Sequence, residues 1–170
     1  MYMATNLEIE KKYIIAYPDE SYLMSIPKCN CTEIEQIYLV SEEGVSERIR
    51  KRGANGEYKY YHTIKRRINA YVREEDENEI TLGEYNLLRQ RANPALNVIQ
   101  KKRYVIPYKG YNMEIDVFPF WDRQAYLEVE LDNTNEIPPI PDYINCMCDV
   151  TNNDEYTNRA LASKIPDQIL

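Results

Sequence analysis

Polar and apolar side chains alternate along eight stretches of this chain, a pattern typical of half-buried β-strands. In the first stretch, residues 6–15, two glutamates and a lysine share one face, and mostly apolar residues take the other. The first face carries Glu8, Glu10 and Lys12, and the second carries Ile9, Lys11, Tyr13 and Ile15. The other seven stretches are 35–40, 45–52, 57–67, 70–78, 98–108, 111–118 and 125–131. The pattern therefore predicts eight strands.

Turn and cap signals separate these strands. Asn55-Gly56 predicts a hairpin between the third and fourth strands, and Lys109-Gly110 predicts another between the sixth and seventh. Thr81 and Glu84 have the spacing of a capping box at the start of a helix. Apolar residues at helical spacing predict three helices. These cover residues 17–26, 80–92 and 153–163.

Charged residues occupy one face of nearly every predicted strand. Besides the first strand, the same-face groups are Arg48/Arg50, Lys65, Arg73/Glu75/Glu77, Lys101/Arg103, Glu114/Asp116 and Glu128/Glu130. In a sandwich such faces would meet solvent. In a closed barrel they would line a polar lumen, and the apolar outer surface would be covered by the three helices. The alternation by itself allows both architectures.

Composition narrows the class of protein. The chain has 170 residues, of which 44% are hydrophobic and 29% are charged, as expected for one globular domain over residues 1–170. It has no apolar run long enough for a membrane span, and its polar start argues against a signal peptide. We therefore expect a cytoplasmic protein with no membrane partner. The net charge of -7 argues against a nucleic-acid partner.

The four cysteines form two Cys-x-Cys pairs, Cys29/Cys31 and Cys146/Cys148. Two such pairs could form a four-thiolate zinc site or two disulfides. The gap between the cysteines is shorter than in zinc ribbons, and a cytosolic chain keeps its thiols reduced. We expect small, half-buried packing residues.

Enclosed cations and carboxylates in similar numbers would be costly without a ligand. Arginine and lysine neutralise phosphate oxygens, and glutamates bind divalent cations. The sequence has no Walker loop and no Gly-x-Ser-x-Gly motif, and its one histidine, His62, is expected to be a packing residue. The chemistry that remains is metal-assisted attack by water on a polyanion.

The charged motifs, in their order and spacing, resemble those of the CYTH superfamily, the triphosphate tunnel metalloenzymes. The resemblance covers nearly the whole chain. It is carried by Glu8-x-Glu10-x-Lys12, Gln36-Ile37-Tyr38-Leu39, Arg48-x-Arg50, Thr63-x-Lys65, Arg73-x-Glu75-x-Glu77, Lys101-x-Arg103, Asp116-Val117-Phe118, Glu128-x-Glu130 and Tyr156-x-Asn158-x-x-Leu161-Ala162.

The resemblance implies an α+β fold, an eight-stranded antiparallel β-tunnel that binds a triphosphate with Mg²⁺ or Mn²⁺. It implies that Glu8, Glu10 and Glu130 ligate the metal with Glu128 beside them. Asp116, Glu75 and Glu77 would serve a second metal or orient water. The phosphate clamp would be Lys12, Arg48, Arg50, Lys65, Arg73, Lys101 and Arg103. Of all these, Lys12, Arg50, Lys65, Glu75 and Asp116 are expected to be catalytic.

The resemblance also sets the expected activity, which is hydrolysis of the terminal phosphate of inorganic tripolyphosphate. Two members of the same superfamily remain as alternatives, a class IV adenylate cyclase and a thiamine triphosphatase. A non-catalytic module that binds polyphosphate or nucleotide is an alternative of another class. Dimerisation through the tyrosine-rich outer strands is left open.

Overall fold

The computed structural model describes residues 6–69 and 72–169. Ala70, where the fifth strand was predicted to begin, lies outside the described residues. The strands are β1 (Asn6–Ala16), β2 (Asn30–Tyr38), β3 (Val45–Ala54), β4 (Glu57–Arg67), β5 (Val72–Ile80), β6 (Ile99–Tyr108), β7 (Tyr111–Val117), β8 (Gln124–Glu130) and β9 (Cys146–Asp149). The helices are α1 (Glu20–Ser25), α2 (Leu82–Arg89) and α3 (Asn158–Ser163), with a 3₁₀ turn at Asp154–Tyr156.

Eight of these strands close into an antiparallel ring in the order β5-β4-β3-β2-β6-β7-β8-β1. β1 closes the ring because different segments of it pair with different strands. Residues 6–9 pair with β5, residues 10–16 pair with β8, and residues 13–15 also pair with the short β9. The predicted eight-stranded antiparallel tunnel is therefore confirmed.

The apolar face of the ring points outward and is covered by helices, as the alternation predicted. Leu23 of α1 packs on a cluster that includes Met113, Ile115 and Leu127. Tyr85 of α2 belongs to a second outer cluster, formed with Ile37, Leu39 and Ile49. Because apolar side chains fill the outer layers, the opposite strand faces are left to line the inside of the ring, which we call the lumen.

A third apolar cluster forms one end of the lumen. Ile14 lies two residues beyond Lys12 in β1, Phe118 two residues beyond Asp116, and Tyr126 two residues before Glu128. Side chains two residues apart in a strand share a face. The charged lumen therefore ends against an aromatic floor. The floor consists of Ile14, Tyr38, Ile99, Phe118, Trp121, Tyr126 and Val150, closed from outside by Leu161 and Ala162 of α3.

Several element boundaries differ from those predicted. β2 begins at Asn30, five residues before the predicted start. Its first residues are polar on both faces, so they lack the alternation that predicts a strand. β9 was not predicted, and it places Cys146 and Cys148 at exposed positions instead of half-buried ones. Cys29 and Cys31 are half-buried, as expected. None of the helices in the described ranges is long and apolar enough to span a bilayer.

The first and last helices, α1 and α3, are shorter than predicted, each for a local reason. α1 begins at Glu20, because the Asp19 carboxylate accepts hydrogen bonds from the backbone N–H groups of Ser21 and Tyr22. The closing segment is divided at Thr157, whose extended backbone ends the 3₁₀ turn and whose hydroxyl accepts the N–H of Ala160 to cap α3. The capping box of Thr81 and Glu84 at α2 is confirmed.

Candidate functional site

The lumen brings the predicted site residues together from seven strands. β1 carries Glu8, Glu10 and Lys12; β3 carries Arg48 and Arg50; β4 carries Lys65; β5 carries Arg73, Glu75 and Glu77; β6 carries Lys101 and Arg103; β7 carries Asp116; and β8 carries Glu128 and Glu130. Their cross-strand partners and ion pairs place them on the inner face.

Carboxylates crowd one side of the lumen. Glu10 of β1 and Glu130 of β8 are directly opposite each other in the strand register, and Glu8 follows on the same face. Burial raises the pKa of the Glu10 carboxyl, and the negative charges of Glu128 and Glu8 raise it further. Burial also raises the pKa of Glu130, together with the charges of Glu8 and Glu10. This group therefore carries more negative charge than its surroundings neutralise.

A cavity of about 460 Å³ lies beside this group, and Glu10 itself lines it together with six cations and the carboxylates of Glu42, Glu43 and Asp154. Its cationic lining is Lys12, Arg48, Lys65, Arg67, Arg73 and Arg159. Arg48 is 8% exposed, and its Nε has no hydrogen-bond acceptor among the described residues. A buried donor without a partner is costly. An anion in the cavity would supply the missing acceptor.

Ion pairs join the carboxylates and the cations of the lumen. The Lys65 ammonium lies 3.0 and 2.7 Å from the two Glu8 oxygens. The other three pairs join Lys12 Nζ to Glu128 Oε1 at 3.1 Å, Arg48 Nη2 to Glu75 Oε1 at 3.6 Å and Arg50 Nη2 to Glu77 Oε2 at 2.5 Å. Each of these four cations therefore faces a carboxylate.

The pKa values follow from these contacts. Burial disfavours the charge of Lys12, but the carboxylates of Glu128 and Glu10 outweigh it and raise the pKa of the ammonium. Burial lowers the pKa of Arg50 to about 10, helped by the neighbouring Arg48 guanidinium. Burial disfavours the charge of Glu77, but Arg50 outweighs it and holds that pKa below its ordinary value. All three groups are charged near neutral pH.

Asp116 forms a separate, fully buried group with two cations. Its Oδ1 accepts from Arg103 Nε at 2.7 Å, and its Oδ2 accepts from Lys101 Nζ at 2.6 Å and from Arg103 Nη2 at 2.8 Å. The side chains of Lys101 and Asp116 are 0% exposed. Burial lowers the pKa of Lys101 to about 8. Neither side chain has surface to offer a ligand, so their expected contacts with phosphate and metal remain predictions.

Arg103 links this buried group to the lumen. Besides Asp116, its guanidinium donates to Glu114 at 3.1 Å and to Glu128 at 3.3 Å. Burial disfavours the charge of Glu128, but Lys12 and Arg103 hold its pKa well below the ordinary value. Arg103 thus holds three carboxylates in place, and its expected contact with phosphate stays a prediction.

Comparison with known proteins identifies the relatives of this site. No family model matches the chain, and the search of curated proteins found no match. The structure of the inorganic triphosphatase NE1496 matches with 26% sequence identity and a TM-score of 0.56, and the match covers 98% of this chain and 100% of that one. Fold, motif order and this likeness agree. The chain has the fold of that triphosphatase, and its structural neighbours are consistent with a CYTH superfamily member.

The same fold occurs in archaeal proteins. PH1012 from Pyrococcus horikoshii OT3 matches with 21% identity and a TM-score of 0.58, over 75% of this chain and 80% of that one. PH1819 from the same organism matches with 24% identity and a TM-score of 0.56, over 77% and 82%. At these identities the likeness shows the fold alone.

Several polar residues that line the cavity were not predicted as site residues, among them Arg67, Arg159 and Asn158, the last of which appears only in the final motif of the resemblance. Arg67 follows Lys65 by two residues, so strand alternation could have found it; its guanidinium holds both Asp154 oxygens, at 2.8 and 3.0 Å. Arg159 and Asn158 reach the cavity from α3, and strand alternation gives no signal for them. The Asn158 Oδ1 is buried without a hydrogen-bond donor among the described residues.

The carboxylates fit a divalent cation by their chemistry. Carboxylate oxygens are the ligands that Mg²⁺ and Mn²⁺ prefer, and the opposed Glu10 and Glu130 would be relieved of repulsion by a shared positive charge. Among the described residues, no three acidic, histidine or cysteine side chains already converge as a metal cluster. These carboxylates therefore have the chemistry that suits such an ion, but their side chains do not converge on a single point.

Proposed function

We propose that this CYTH protein is a divalent-metal-dependent triphosphatase that hydrolyses the terminal phosphate of inorganic tripolyphosphate. One observation carries the proposal: a crowded carboxylate group adjoins, through Glu10, a cavity lined by six cations, and one of these, Arg48, has a buried Nε without a hydrogen-bond acceptor among the described residues. The first set suits a metal ion, and the second suits a polyphosphate. The CYTH neighbour NE1496, similar over the whole length of both chains, is described as an inorganic triphosphatase.

The cations of the cavity would bind and orient the phosphate chain. Arg48 has a free Nε and a guanidinium whose nearest carboxylate contact is 3.6 Å, so it can turn two N–H groups toward a phosphate. Lys65, Lys12 and Arg73 also line the cavity and would neutralise the remaining oxygens. Glu75 and Glu77 would keep Arg48 and Arg50 aimed inward.

Glu8, Glu10 and Glu130 would hold the metal ion. When bound, Mg²⁺ or Mn²⁺ supplies Lewis acidity, which neutralises phosphate charge and activates water. Phosphoryl transfer needs little covalent help from a protein, so positioning and charge stabilisation account for catalysis. Each preorganised charge is typically worth ~3–4 kcal/mol at the transition state, or a factor of about a hundred or more in rate.

The cavity lining favours an inorganic substrate over a nucleotide. Tyr38 is the one aromatic side chain among its described lining residues, and it is 3% exposed beneath the charged layer. A nucleobase or a thiamine ring is usually held by stacking on an accessible aromatic face. Phosphate oxygens need only the cations that are present.

Metal-dependent phosphate release tests the proposal. Tripolyphosphate, ATP and thiamine triphosphate are each incubated with Mg²⁺ or Mn²⁺, with Glu10→Gln as the inactive variant and Glu57→Gln, at the exposed start of β4, as the matched control. We expect orthophosphate from tripolyphosphate, lost in Glu10→Gln and kept in Glu57→Gln. Pyrophosphate with cyclic AMP from ATP would indicate a cyclase, and preferred turnover of thiamine triphosphate a thiamine triphosphatase. Tight binding without turnover would indicate a binding module.

A further inference from the structure

Lys65 and Glu8 form a close ion pair in the lumen. The Lys65 Nζ lies 2.7 Å from Glu8 Oε2 and 3.0 Å from Glu8 Oε1, so one ammonium covers both oxygens of the carboxylate. The two side chains are 18% and 16% exposed, so water screens the pair only partly. A third group, the Glu75 carboxylate, lies 3.7 Å from the same ammonium.

The contact arises from the strand register. Lys65 of β4 lies opposite Glu75 of β5, and Glu8 of β1 lies opposite Arg73 two residues before Glu75. The Lys65–Glu8 pair thus reaches across β5, diagonally, to join two strands that do not pair. It sits where the ring closes between β1 and β5.

This contact competes with both proposed ligands. A metal ion held by Glu8 needs the carboxylate oxygens that Lys65 now covers, and a phosphate held by Lys65 needs the ammonium that Glu8 now neutralises. Whichever ligand binds first must break the pair, and the partner left behind is then available to the second ligand.

We propose that the Lys65–Glu8 ion pair is a latch that makes metal binding and polyanion binding mutually reinforcing. The inference rests on the proposed function for the identity of the two ligands. Coupling between two ligands is reciprocal, so each must raise the affinity of the other by the same factor. Breaking the latch by mutation should therefore tighten the binding of whichever ligand remains when the other is absent.

The metal arm of the test measures Mn²⁺ binding by electron paramagnetic resonance without any phosphate. The wild type is compared with Lys65→Met, which frees Glu8, and with Arg67→Met, which removes a cavity cation paired to Asp154 instead. We expect Lys65→Met to tighten Mn²⁺ binding on the order of tenfold. Arg67→Met should have a clearly smaller effect, because it changes the charge without freeing Glu8.

The anion arm measures tripolyphosphate binding by calorimetry in metal-free buffer. Glu8→Gln frees Lys65, whereas Glu42→Gln removes an exposed carboxylate from the cavity lining without touching Lys65. We expect Glu8→Gln to tighten binding on the order of tenfold and Glu42→Gln to tighten it much less. Studying each ligand alone avoids chelation of Mn²⁺ by free tripolyphosphate, and thermal unfolding checks that every variant is folded.

The outcomes separate the latch from the function. If a test variant and its control, in either arm, tighten binding equally, the effect comes from the change in net charge and not from breaking the ion pair. The latch is then wrong, and the proposed function stands. Weaker Mn²⁺ binding by folded Lys65→Met would mean that Lys65 orders Glu8 instead of blocking it, which also overturns the latch. If neither Mn²⁺ nor tripolyphosphate binds the wild-type protein, both the latch and the proposed function fall.

Discussion

Glu10 and Glu130 face each other directly across the β1–β8 ladder, and the pKa of each carboxyl is raised by burial and by the surrounding carboxylates. Like charges in directly opposed positions of an antiparallel pair destabilise it. The fold therefore bears a local electrostatic cost at the place where a metal ion is proposed to bind. Replacing one of the two glutamates should stabilise the metal-free protein and reduce the stabilisation that a bound metal ion gives.

Glu10→Gln should raise the melting temperature of the metal-free protein. The relief of an opposed carboxylate pair is worth roughly 0.2–1 kcal/mol, which corresponds to about 2–4 °C per kcal/mol for a domain of this size. The same variant should lose the stabilisation that Mn²⁺ gives the wild type. Thermal unfolding with and without Mn²⁺ measures both effects, and a lower melting temperature in the metal-free variant would contradict the repulsion argument.

Arg48→Met should lower kcat/KM for tripolyphosphate about a hundredfold or more, because it removes charge stabilisation at a preorganised position. Arg48→Lys should recover only part of this, since lysine lacks the Nε donor and the planar fork of arginine. Steady-state kinetics measure the series. Arg66→Met, on the exposed outer face of β4, is the matched control and should leave kcat/KM within a factor of about two.

Asp116→Asn should destabilise the protein strongly, because it leaves buried Lys101 and Arg103 without their shared counter-charge. Breaking a buried ion pair on one side typically costs about 3–5 kcal/mol. The double variant Lys101→Met/Asp116→Asn should recover much of the loss, since the unpaired ammonium is gone and the new side chain lies near the Phe118 ring. Urea unfolding of the four proteins gives the double-mutant cycle, and additive losses would contradict the pairing.

Glu20 supplies a pH-dependent anchor for α1. Its carboxylate accepts from Tyr17 at 2.7 Å, from Lys102 at 2.8 Å and from Tyr104. Burial disfavours its charge, but the hydrogen bonds from Lys102, Tyr104 and Tyr17 outweigh burial and lower its pKa from 4.5 to about 2. A lowered carboxyl pKa stabilises the fold above the unfolded-state value, and this contribution is lost as the pH falls toward the folded-state value.

Glu20→Gln should accordingly be less stable than the wild type by roughly 1–3 kcal/mol at neutral pH. The difference should shrink as the pH falls from about 4.5 to about 2. Denaturant unfolding across this range compares the two proteins. A difference that stays constant through the window would assign the effect to the shape of the side chain, not to its charge.

The fold was predictable because inward-facing charges recur at every second residue in seven of the eight ring strands. Where the alternation fails, the prediction failed too. β2 starts in the polar run Asn30-Cys31-Thr32, and β9 has only four residues, too few to show a period. Both segments are strands because neighbours pair with them.

The lumen residues were also predictable, but their pairings were not. Face sharing along one strand places Glu8 and Glu10 together, whereas the contact of Glu8 with Lys65 depends on how far β4, β5 and β1 are staggered around the ring. The stagger is set by the closure of the whole sheet, so it cannot be predicted from the sequence of a single strand. The burial of Lys101 and Asp116 beneath the lumen surface was missed for the same reason.

The divided pairing of β1 has a consequence for how the chain folds. β1 leaves the ribosome before the strands that hold it, residues 72–75 of β5 and 124–130 of β8, so its two edges stay unpaired during most of synthesis. Local hairpins such as β3–β4 and β6–β7 can form at once, whereas ring closure must bring together residues more than a hundred positions apart and is therefore slow. Since Glu10 meets Glu130 only at that last step, a nascent chain cannot capture a metal ion at this pair before its fold is complete.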